Sequence, residues 1–491
     1  MKFQIFNNGS LVKDLPLHGA YLFGSDGMAV RKSRIAFANG LLECYKPNQE
    51  TSGLALLWPV EGFGRILLST TCLPERDQPY ILNLELARGR LMQIINKRED
   101  WTIFEDNDES AALYEQSQDL FIKSIQSASD GPAASRLADQ SLQRAMMFSE
   151  GLSAKYAKAM FAARGKNRSF GRGCLGCWVD PKQTANPLYL ERFAGVFGLA
   201  MVPLNWGQIE QTRGAYDFSK IDGCVTALSK RKLAIGAGPL LCFTKESLPK
   251  WLMEKDVTFE KIRECAYEFI SAAASRYSGM VRTWIVVSGL NAFNYFGFGF
   301  EQVLEITRAA AMAVKAAAER ALRIIEVANP WGEYYGVKPE TIPPIVYMDM
   351  VIQSGINFDA FGLSMRFGRD ESGMHIRDMM QVSAVLDTYA PIARPFYITN
   401  VEIPGVNAPG SCAQNAAGLW HNEWNPATQA EWLDQFYRIA LAKSLFDGVI
   451  YSSFTDSKES PIPDSGLLTP ALEPKDSYAT LKKYHDRIFG R

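Results

Sequence analysis

Carboxylates at the ends of predicted strands are the side chains of this chain with the clearest potential for chemistry. Glu402 closes one strand-like segment, and Glu423 lies in the loop that follows it. Two carboxyl groups that face each other can act as a general acid paired with a nucleophile or a base. We therefore take Glu402 and Glu423 as tentative catalytic residues. The alternative makes Glu402 a structural carboxylate bonded to a neighbour and Glu423 a surface residue.

Several further residues suit the binding of a sugar, because aromatic rings stack on pyranose faces and amides bond hydroxyl groups. Arg366 would place a cation near the ends of the predicted strands, where it either binds an acidic ligand or neutralises Glu402. Glu326, at the end of another predicted strand, either faces the same site or pairs with an arginine. The predicted substrate-binding residues are Trp206, Tyr295, Arg366, Asn400, Trp420 and Trp424.

These residues lie in a part of the chain that alternates strand and helix eight times. Strand-like segments begin near residues 177, 199, 233, 283, 322, 360, 396 and 448, with amphipathic segments between them. Eight such units in about 315 residues predict a closed (β/α)8 barrel. An open dinucleotide-binding sheet is the competing fold. Its glycine fingerprint at 171–176 precedes a strand instead of opening a helix, which argues against that fold.

The first third of the chain has a different pattern. Short alternating runs, including one around Asn39-Gly40, predict hairpins. From Leu82 onward the apolar spacing is typical of helices, with further helices predicted at about 108–127 and 132–163. We expect an α/β protein with a sandwich-like all-β domain at 1–78, a helical connector at 79–168 and a TIM barrel at 169–491.

The ordered segments after residue 172 resemble the family-10 glycoside hydrolases, which are xylanases. The runs that carry the resemblance are Asn205-Trp-Gly-Gln-Ile-Glu210, Gly214-Ala-Tyr-Asp-Phe218, Trp284-Ile-Val-Val-Ser-Gly289, Phe358-Asp-Ala-Phe-Gly362 and Tyr397-Ile-Thr-Asn-Val-Glu402. They stand in the family's order over about residues 172–491. The resemblance implies a (β/α)8 barrel with one catalytic glutamate at the end of strand four and another at the end of strand seven.

The chain departs from the family at those two positions. Gly289 stands where the acid/base glutamate is expected, and Asn400 stands where the nucleophile is expected. Ser364 and Arg366 replace the strand-six glutamine and histidine, while framework residues such as Trp284 remain. The pattern implies a pocket that has been put to another use, and not a general decay of the fold.

Three functions remain open at this point. The leading hypothesis is a carbohydrate-binding barrel that has lost or strongly altered xylanase-type hydrolysis, a possible pseudoenzyme. The second is an active O-glycosyl hydrolase with relocated carboxylates. The third is an interaction scaffold without a sugar ligand, which would bind a protein partner through residues 1–165.

Composition bounds these hypotheses. A formal net charge of −1, from 52 Lys+Arg and 53 Asp+Glu, gives no support for nucleic-acid binding. No apolar run is long enough for a membrane span or a signal peptide, so we expect a cytoplasmic protein. A single C-x-x-C at Cys174 and Cys177, with four histidines in the chain, predicts neither a metal nor a cofactor. The expected partner is an oligo- or polysaccharide.

Overall fold

Eight parallel strands form a closed barrel in the computed structural model, which describes residues 1–101, 109–167, 169–254, 257–407 and 416–490. Barrel strands one to eight are Leu175–Trp178, Leu199–Pro203, Ala234–Gly238, Val281–Ser288, Leu322–Ala328, Ala360–Arg366, Phe396–Glu402 and Phe446–Tyr451. The first strand pairs with the eighth, Leu175 opposite Val449, and this pairing closes the cylinder. The predicted (β/α)8 fold is confirmed.

Helices cover the outside of the barrel, and several of them begin at N-cap residues that can be recognised in the sequence. Asn186 and Asn425 each accept a hydrogen bond from a backbone N–H of the first turn, and a proline follows each at the first helical position. The longer barrel helices are Pro187–Ala194, Ser219–Lys230, Phe259–Tyr277, Phe300–Ala317, Pro344–Gln353, Met379–Thr388, Pro426–Ala442 and Asp476–Phe489. Short turns of helix lie at Trp206–Ile209, Lys250–Met253, Tyr334–Val337 and Ala390–Ile392, and a short strand, Leu241–Cys242, pairs with barrel strand four.

The barrel interior is apolar and closely packed. Side chains from strands two, four, five, six and eight meet there, and the half-buried Trp178 packs on the same cluster. Because both faces of every strand are covered, the strands are nearly continuous apolar runs. The buried members of the cluster are Leu199, Met201, Ile285, Ile324, Ala360 and Ile450.

Short strands build two four-stranded sheets at the N-terminus. The first contains, in spatial order, Arg34–Ala38, Leu41–Tyr45, Lys2–Gln4 and Tyr80–Ile81. The second contains Leu419–Trp420, Gly64–Ser69, Ser52–Val60 and Tyr21–Gly24, and a two-stranded ribbon joins Phe6–Asn7 to Ser10–Leu11. The hairpin predicted at Asn39-Gly40 is present, with φ of +54° and +78° at its two central residues.

One strand of the second sheet comes from the barrel. Leu419–Trp420 follows barrel strand seven in sequence and pairs antiparallel with Gly64–Ser69, Trp420 opposite Gly64. The sheet is therefore shared between the two ends of the chain. The boundary at residue 78 stays a prediction, and this pairing argues against an N-terminal unit that folds without the barrel.

Three helices connect the sheets to the barrel, at Leu82–Asp100, Glu109–Gln126 and Gly131–Lys166. Residue 108, where the second predicted helix began, lies outside the described residues. The long third helix packs on the other two and on the barrel helices 379–388 and 426–442. The Arg164 guanidinium donates to the carbonyl oxygens of Leu441, Lys443 and Phe446 at 3.1, 2.9 and 2.8 Å. These bonds fix the end of the long helix to the barrel.

A buried ion pair fixes the first connector helix as well. The Arg90 guanidinium, 2% exposed, contacts both carboxylate oxygens of Asp378 at 3.1 and 2.5 Å. Asp378 also accepts hydrogen bonds from the backbone N–H groups of Met380 and Gln381 and so caps the helix Met379–Thr388. Within the described part of the chain, no helix is both long enough and apolar enough to cross a bilayer.

Asp378→Ala should destabilise the protein by about 3–5 kcal/mol, because it leaves the Arg90 guanidinium buried without a counter-charge. Urea unfolding followed by circular dichroism would measure the loss. Asp378→Asn, which keeps a side-chain oxygen for the helix cap, separates the capping contribution from the ion pair. The control is Asp486→Ala, which removes a pair with Lys482 on an exposed helix face and should change little. Equal effects of the Asp378 and Asp486 changes to Ala would contradict the importance of the buried pair.

Candidate functional site

The carboxyl ends of barrel strands four to seven bring one group of polar residues together. Ser288 and Gly289 end strand four, Glu326 lies in strand five, and Asn400 lies in strand seven. In barrels of this class the catalytic residues stand at this end of the strands, which we call the mouth. The mouth is therefore the candidate functional site.

Gly289, at the expected seat of the acid/base, has no room for a side chain. Its φ is +63°, in the left-handed region that L side chains rarely adopt. A Cβ atom built there would lie 2.5 Å from Cδ2 of Phe293 and 3.1 Å from Cβ of Ala328. A carboxylate could not project from this position unless the Phe293 ring moved, so the backbone and its packing both conform to glycine.

Asn400, at the expected position of the nucleophile, is 6% exposed, and both its amide nitrogen and its amide oxygen are hydrogen-bonded. Its Nδ2 donates to Oε2 of Glu326 at 3.0 Å. Its Oδ1 accepts from Nη2 of Arg366 and from Oγ of Ser452, both at 3.3 Å. A neutral carboxamide held in this way hydrogen-bonds its surroundings and does not act as a nucleophile.

Glu326 lies between these two seats. Its Oε1 accepts from the Ser288 hydroxyl at 2.5 Å, its Oε2 accepts from Asn400, and its side chain is buried. Burial raises the pKa of Glu326 above its usual value, while the hydrogen bonds from Ser288 and Asn400 and the charge of Arg366 oppose that rise. The sequence left open whether Glu326 faces this site or pairs with an arginine, and the structure places it facing the mouth.

Glu402 is held as a buried carboxylate. Its Oε1 accepts from the hydroxyls of Ser453, Ser460 and Ser465 at 2.7, 3.2 and 2.6 Å. Its Oε2 lies 3.7 Å from Nε of Arg366, whose side chain is 38% exposed. Arg366 therefore neutralises Glu402, and three serines of the strand-eight loop occupy one of its oxygens.

Glu423 lies apart from this group. It follows the strand Leu419–Trp420, its side chain is exposed, and its carbonyl oxygen accepts from Asn425 and Thr428. Glu402 is thus buried and enclosed by serines, whereas Glu423 is exposed in the segment that follows the strand paired with the N-terminal sheet.

The predicted stacking residues differ in their accessibility. Trp206, Trp420 and Trp424 are 2%, 1% and 3% exposed. The indole N–H of Trp206 donates to Glu210 at 2.6 Å, and its ring stacks on Phe269. These three rings pack inside the protein, and their burial gives no support to their prediction as sugar contacts. Tyr295, at 45% exposure, has a ring that a ligand could reach.

Trp178 is a site residue that sequence reasoning missed. It is the last residue of barrel strand one, it is half-buried, and its indole N–H donates to the carbonyl oxygen of Thr399 at 2.9 Å. The ring therefore lies beside Asn400 at the mouth. A tryptophan at the carboxyl end of the first predicted strand was the available signal.

Metal ligands are not assembled here. The described residues contain no group of three or more His, Cys, Asp and Glu placed to hold a metal ion. Cys174 and Cys177 are buried, and burial raises the pKa of Cys174 to about 12 and that of Cys177 well above its usual value. Both therefore stay as thiols at neutral pH, whereas metals and electrophiles require the thiolate.

Gly289→Ala should destabilise the protein by roughly 1–2 kcal/mol from the left-handed backbone alone, with the overlap on Phe293 adding to that cost. Chemical unfolding of the variant beside Gly279→Ala tests this. Gly279 has open space around its Cβ position and no positive φ, so its alanine variant is the matched control. Equal stability of the two variants would show that position 289 accepts a side chain.

Glu326→Gln should change the pH dependence of stability. A carboxyl whose pKa is raised on folding stabilises the native state at low pH, and that contribution is lost as pH rises through the raised pKa. The variant should therefore gain free energy of unfolding relative to wild type as pH rises above about 4, the ordinary pKa of a glutamate. Urea unfolding of both proteins across this range measures the difference. A difference that stays constant would contradict the raised pKa.

Comparison with known proteins supports the barrel fold. The model of glycosyl hydrolase family 10 matches residues 199–460. Xylanase 10B from Thermotoga petrophila RKU-1, solved in complex with xylobiose, is 18% identical over 64% of this chain and 94% of that chain, with a TM-score of 0.50. A GH10 structure from Paenibacillus barcinonensis is 16% identical over 66% of this chain and 98% of that chain, with a TM-score of 0.51. A search of curated proteins found no match.

These distant structures share the barrel fold, and the family match spans more than half of the chain. The matched segment contains the ends of barrel strands four and seven, where the two catalytic glutamates are expected. The chain belongs to glycosyl hydrolase family 10.

Proposed function

We propose that this chain binds carbohydrate at the barrel mouth and does not cleave it by the two-glutamate mechanism. The observation that carries the proposal is the packing and bonding at positions 289 and 400, where the family has its two catalytic glutamates. Position 289 has no space for a side chain, and the Asn400 amide is bonded on both sides. Hydrolysis of a glycoside needs two carboxyl groups across the bond, at about 5–5.5 Å for retention or about 6.5–9.5 Å for inversion.

The remaining carboxylates do not restore such a pair. Glu402 is bound by serine hydroxyls and by Arg366, so it has little freedom to meet a sugar. Glu326 is one carboxyl group without a free partner. Loss of a catalytic acid or nucleophile removes orders of magnitude from the rate, because each contributes directly to the transition state.

The mouth keeps groups that can hold a sugar. Trp178 offers part of an aromatic ring, and the partly exposed Arg366 and the hydroxyl of Ser452 offer hydrogen bonds. An aromatic face with a few fixed polar groups is the usual composition of a sugar site. Since the Thermotoga petrophila structure contains xylobiose, xylo-oligosaccharides are the first ligands to test.

Isothermal titration with xylotriose and xylohexaose should give saturable binding to the wild-type protein. Trp178→Ala should weaken binding by roughly two- to tenfold, since one aromatic contact contributes about 0.5–1.5 kcal/mol. Lys230→Ala, an exposed change at the end of the barrel opposite the mouth, is the control and should bind as wild type does. Absence of binding at millimolar sugar, or equal binding by Trp178→Ala, would contradict the proposed site.

An active hydrolase is the second candidate, and one observation favours it. Glu326 lies beside both former catalytic positions, and its raised pKa is the property that a general acid needs near neutral pH. On this alternative, wild-type protein releases the aryl group from a chromogenic xyloside, and Glu326→Gln abolishes the release while Glu423→Gln does not. No release by wild-type protein above the buffer rate would exclude this alternative for that substrate.

A further inference from the structure

A wide groove lies at the end of the barrel opposite the mouth. It has a volume of about 1390 Å³, and its lining includes residues that directly precede barrel strands one, two and three. Five cationic side chains line this surface, which we call the basic groove: Lys166, Arg172, Arg231, Lys232 and Arg487. It is separate from the mouth, so nothing inferred about it depends on the function proposed above.

The cations of the basic groove have no neutralising partners. All five are exposed, and none forms an ion pair with a carboxylate in the described ranges of the chain. Neighbouring cations do form such pairs, as Lys482 does with Asp486 on the helix that carries Arg487. No Asp or Glu is among the described residues that line the groove. In a chain with a formal net charge of −1, this is a local concentration of positive charge.

Helix dipoles account for part of that charge but not for most of it. Four helices end at the groove, at Lys166, Ala194, Lys230 and Phe489, and cations near helix C-termini are stabilising. Each helix end is equivalent to about −0.5 of an elementary charge, so the four together supply about −2. The five cations exceed this by about three positive charges. A surplus of that size on one surface attracts an anionic ligand.

Apolar side chains between the cations narrow the choice of ligand. Phe170, Leu233, Ile488 and Phe489 line the groove and are half-buried, so parts of their apolar surface remain open. Phe161 and Phe197 are 2% and 1% exposed, the Arg164 guanidinium lies over the Phe170 ring, and the Phe489 ring packs on His485, so these rings are not free stacking platforms. Single-stranded nucleic acid needs open aromatic faces on which bases stack. Apolar surface between the cations instead suits a peptide ligand that carries both carboxylates and apolar side chains.

We propose that the basic groove binds an acidic segment of a partner protein, with the partner's carboxylates on the cations and its apolar side chains on the groove floor. Charge complementarity would set the rate and specificity of association, and burial of the apolar side chains would supply much of the affinity. Of residues 1–165, which the sequence suggested for a protein partner, only Phe161, Ala162 and Gly165 line the groove.

Fluorescence anisotropy with the full chain tests this proposal. The probe is a fluorescein-labelled peptide of Asp-Glu-Phe repeats, compared with Asp-Glu-Ser repeats of equal length and with oligothymidylate. We expect the Phe-containing peptide to bind most tightly and its affinity to fall with added salt. Arg172→Glu combined with Arg231→Glu should weaken that binding by at least about tenfold, because two attractive charges become repulsive.

The matched control combines Lys220→Glu, in the first turn of the helix Ser219–Lys230, with Lys245→Glu, in the loop after barrel strand three; both lysines are exposed and lie near the mouth end of the barrel. It changes the net charge equally and should leave the affinity within about twofold, since these sites lie beyond the range of screened charges. Equal weakening by the control, equal binding of the Ser-containing peptide, tighter binding of oligothymidylate, or no binding of any probe would each overturn the proposal.

Discussion

One buried carboxyl group, Glu326, ties three barrel strands together at the mouth. It bonds Ser288 at the end of strand four and Asn400 in strand seven, while Asn400 in turn bonds Arg366 of strand six. A buried polar network of this kind is stable only when its donors and acceptors are matched. A glutamate returned to position 400 would place two carboxyl groups in contact, which opposes the ionisation of both. The network is therefore consistent with asparagine at that seat and inconsistent with the family's nucleophile.

Neighbouring side chains also fill space and satisfy polar groups in the rest of the mouth. Phe293 fills the space that a side chain at position 289 would need, and Arg366 and three serines satisfy Glu402. The framework is meanwhile intact, because strand eight closes on strand one and a barrel segment completes the N-terminal sheet. An enzyme that had merely lost two residues would leave gaps at their positions. Here the neighbours pack into those positions, which is the arrangement expected of a pocket with another use.

Much of the fold could be predicted from the sequence, because it depends on local and periodic signals. Apolar runs between amphipathic segments predict the eight barrel units, and Asn39-Gly40 predicts its hairpin. The site was harder to predict. The burial of Trp206, Trp420 and Trp424 depends on non-local packing, and Trp420 is covered because its segment pairs with residues 64–65 more than 350 positions earlier. The orientation of Glu326 depends on register shifts between neighbouring strands, such as the one between Ile285 and Val287 in the pairing of strands four and five. Such shifts do not alter the apolar periodicity of the sequence.

The central claim is that the mouth holds a sugar without breaking it. Prolonged incubation of xylohexaose with a large excess of protein in ¹⁸O-labelled water, followed by mass spectrometry, tests this most directly, because hydrolysis places one labelled oxygen on a product of each cleavage. We predict intact xylohexaose and no labelled fragments beyond those in a protein-free sample. Labelled shorter xylo-oligosaccharides that form with wild-type protein, and not with Glu326→Gln, would contradict the account.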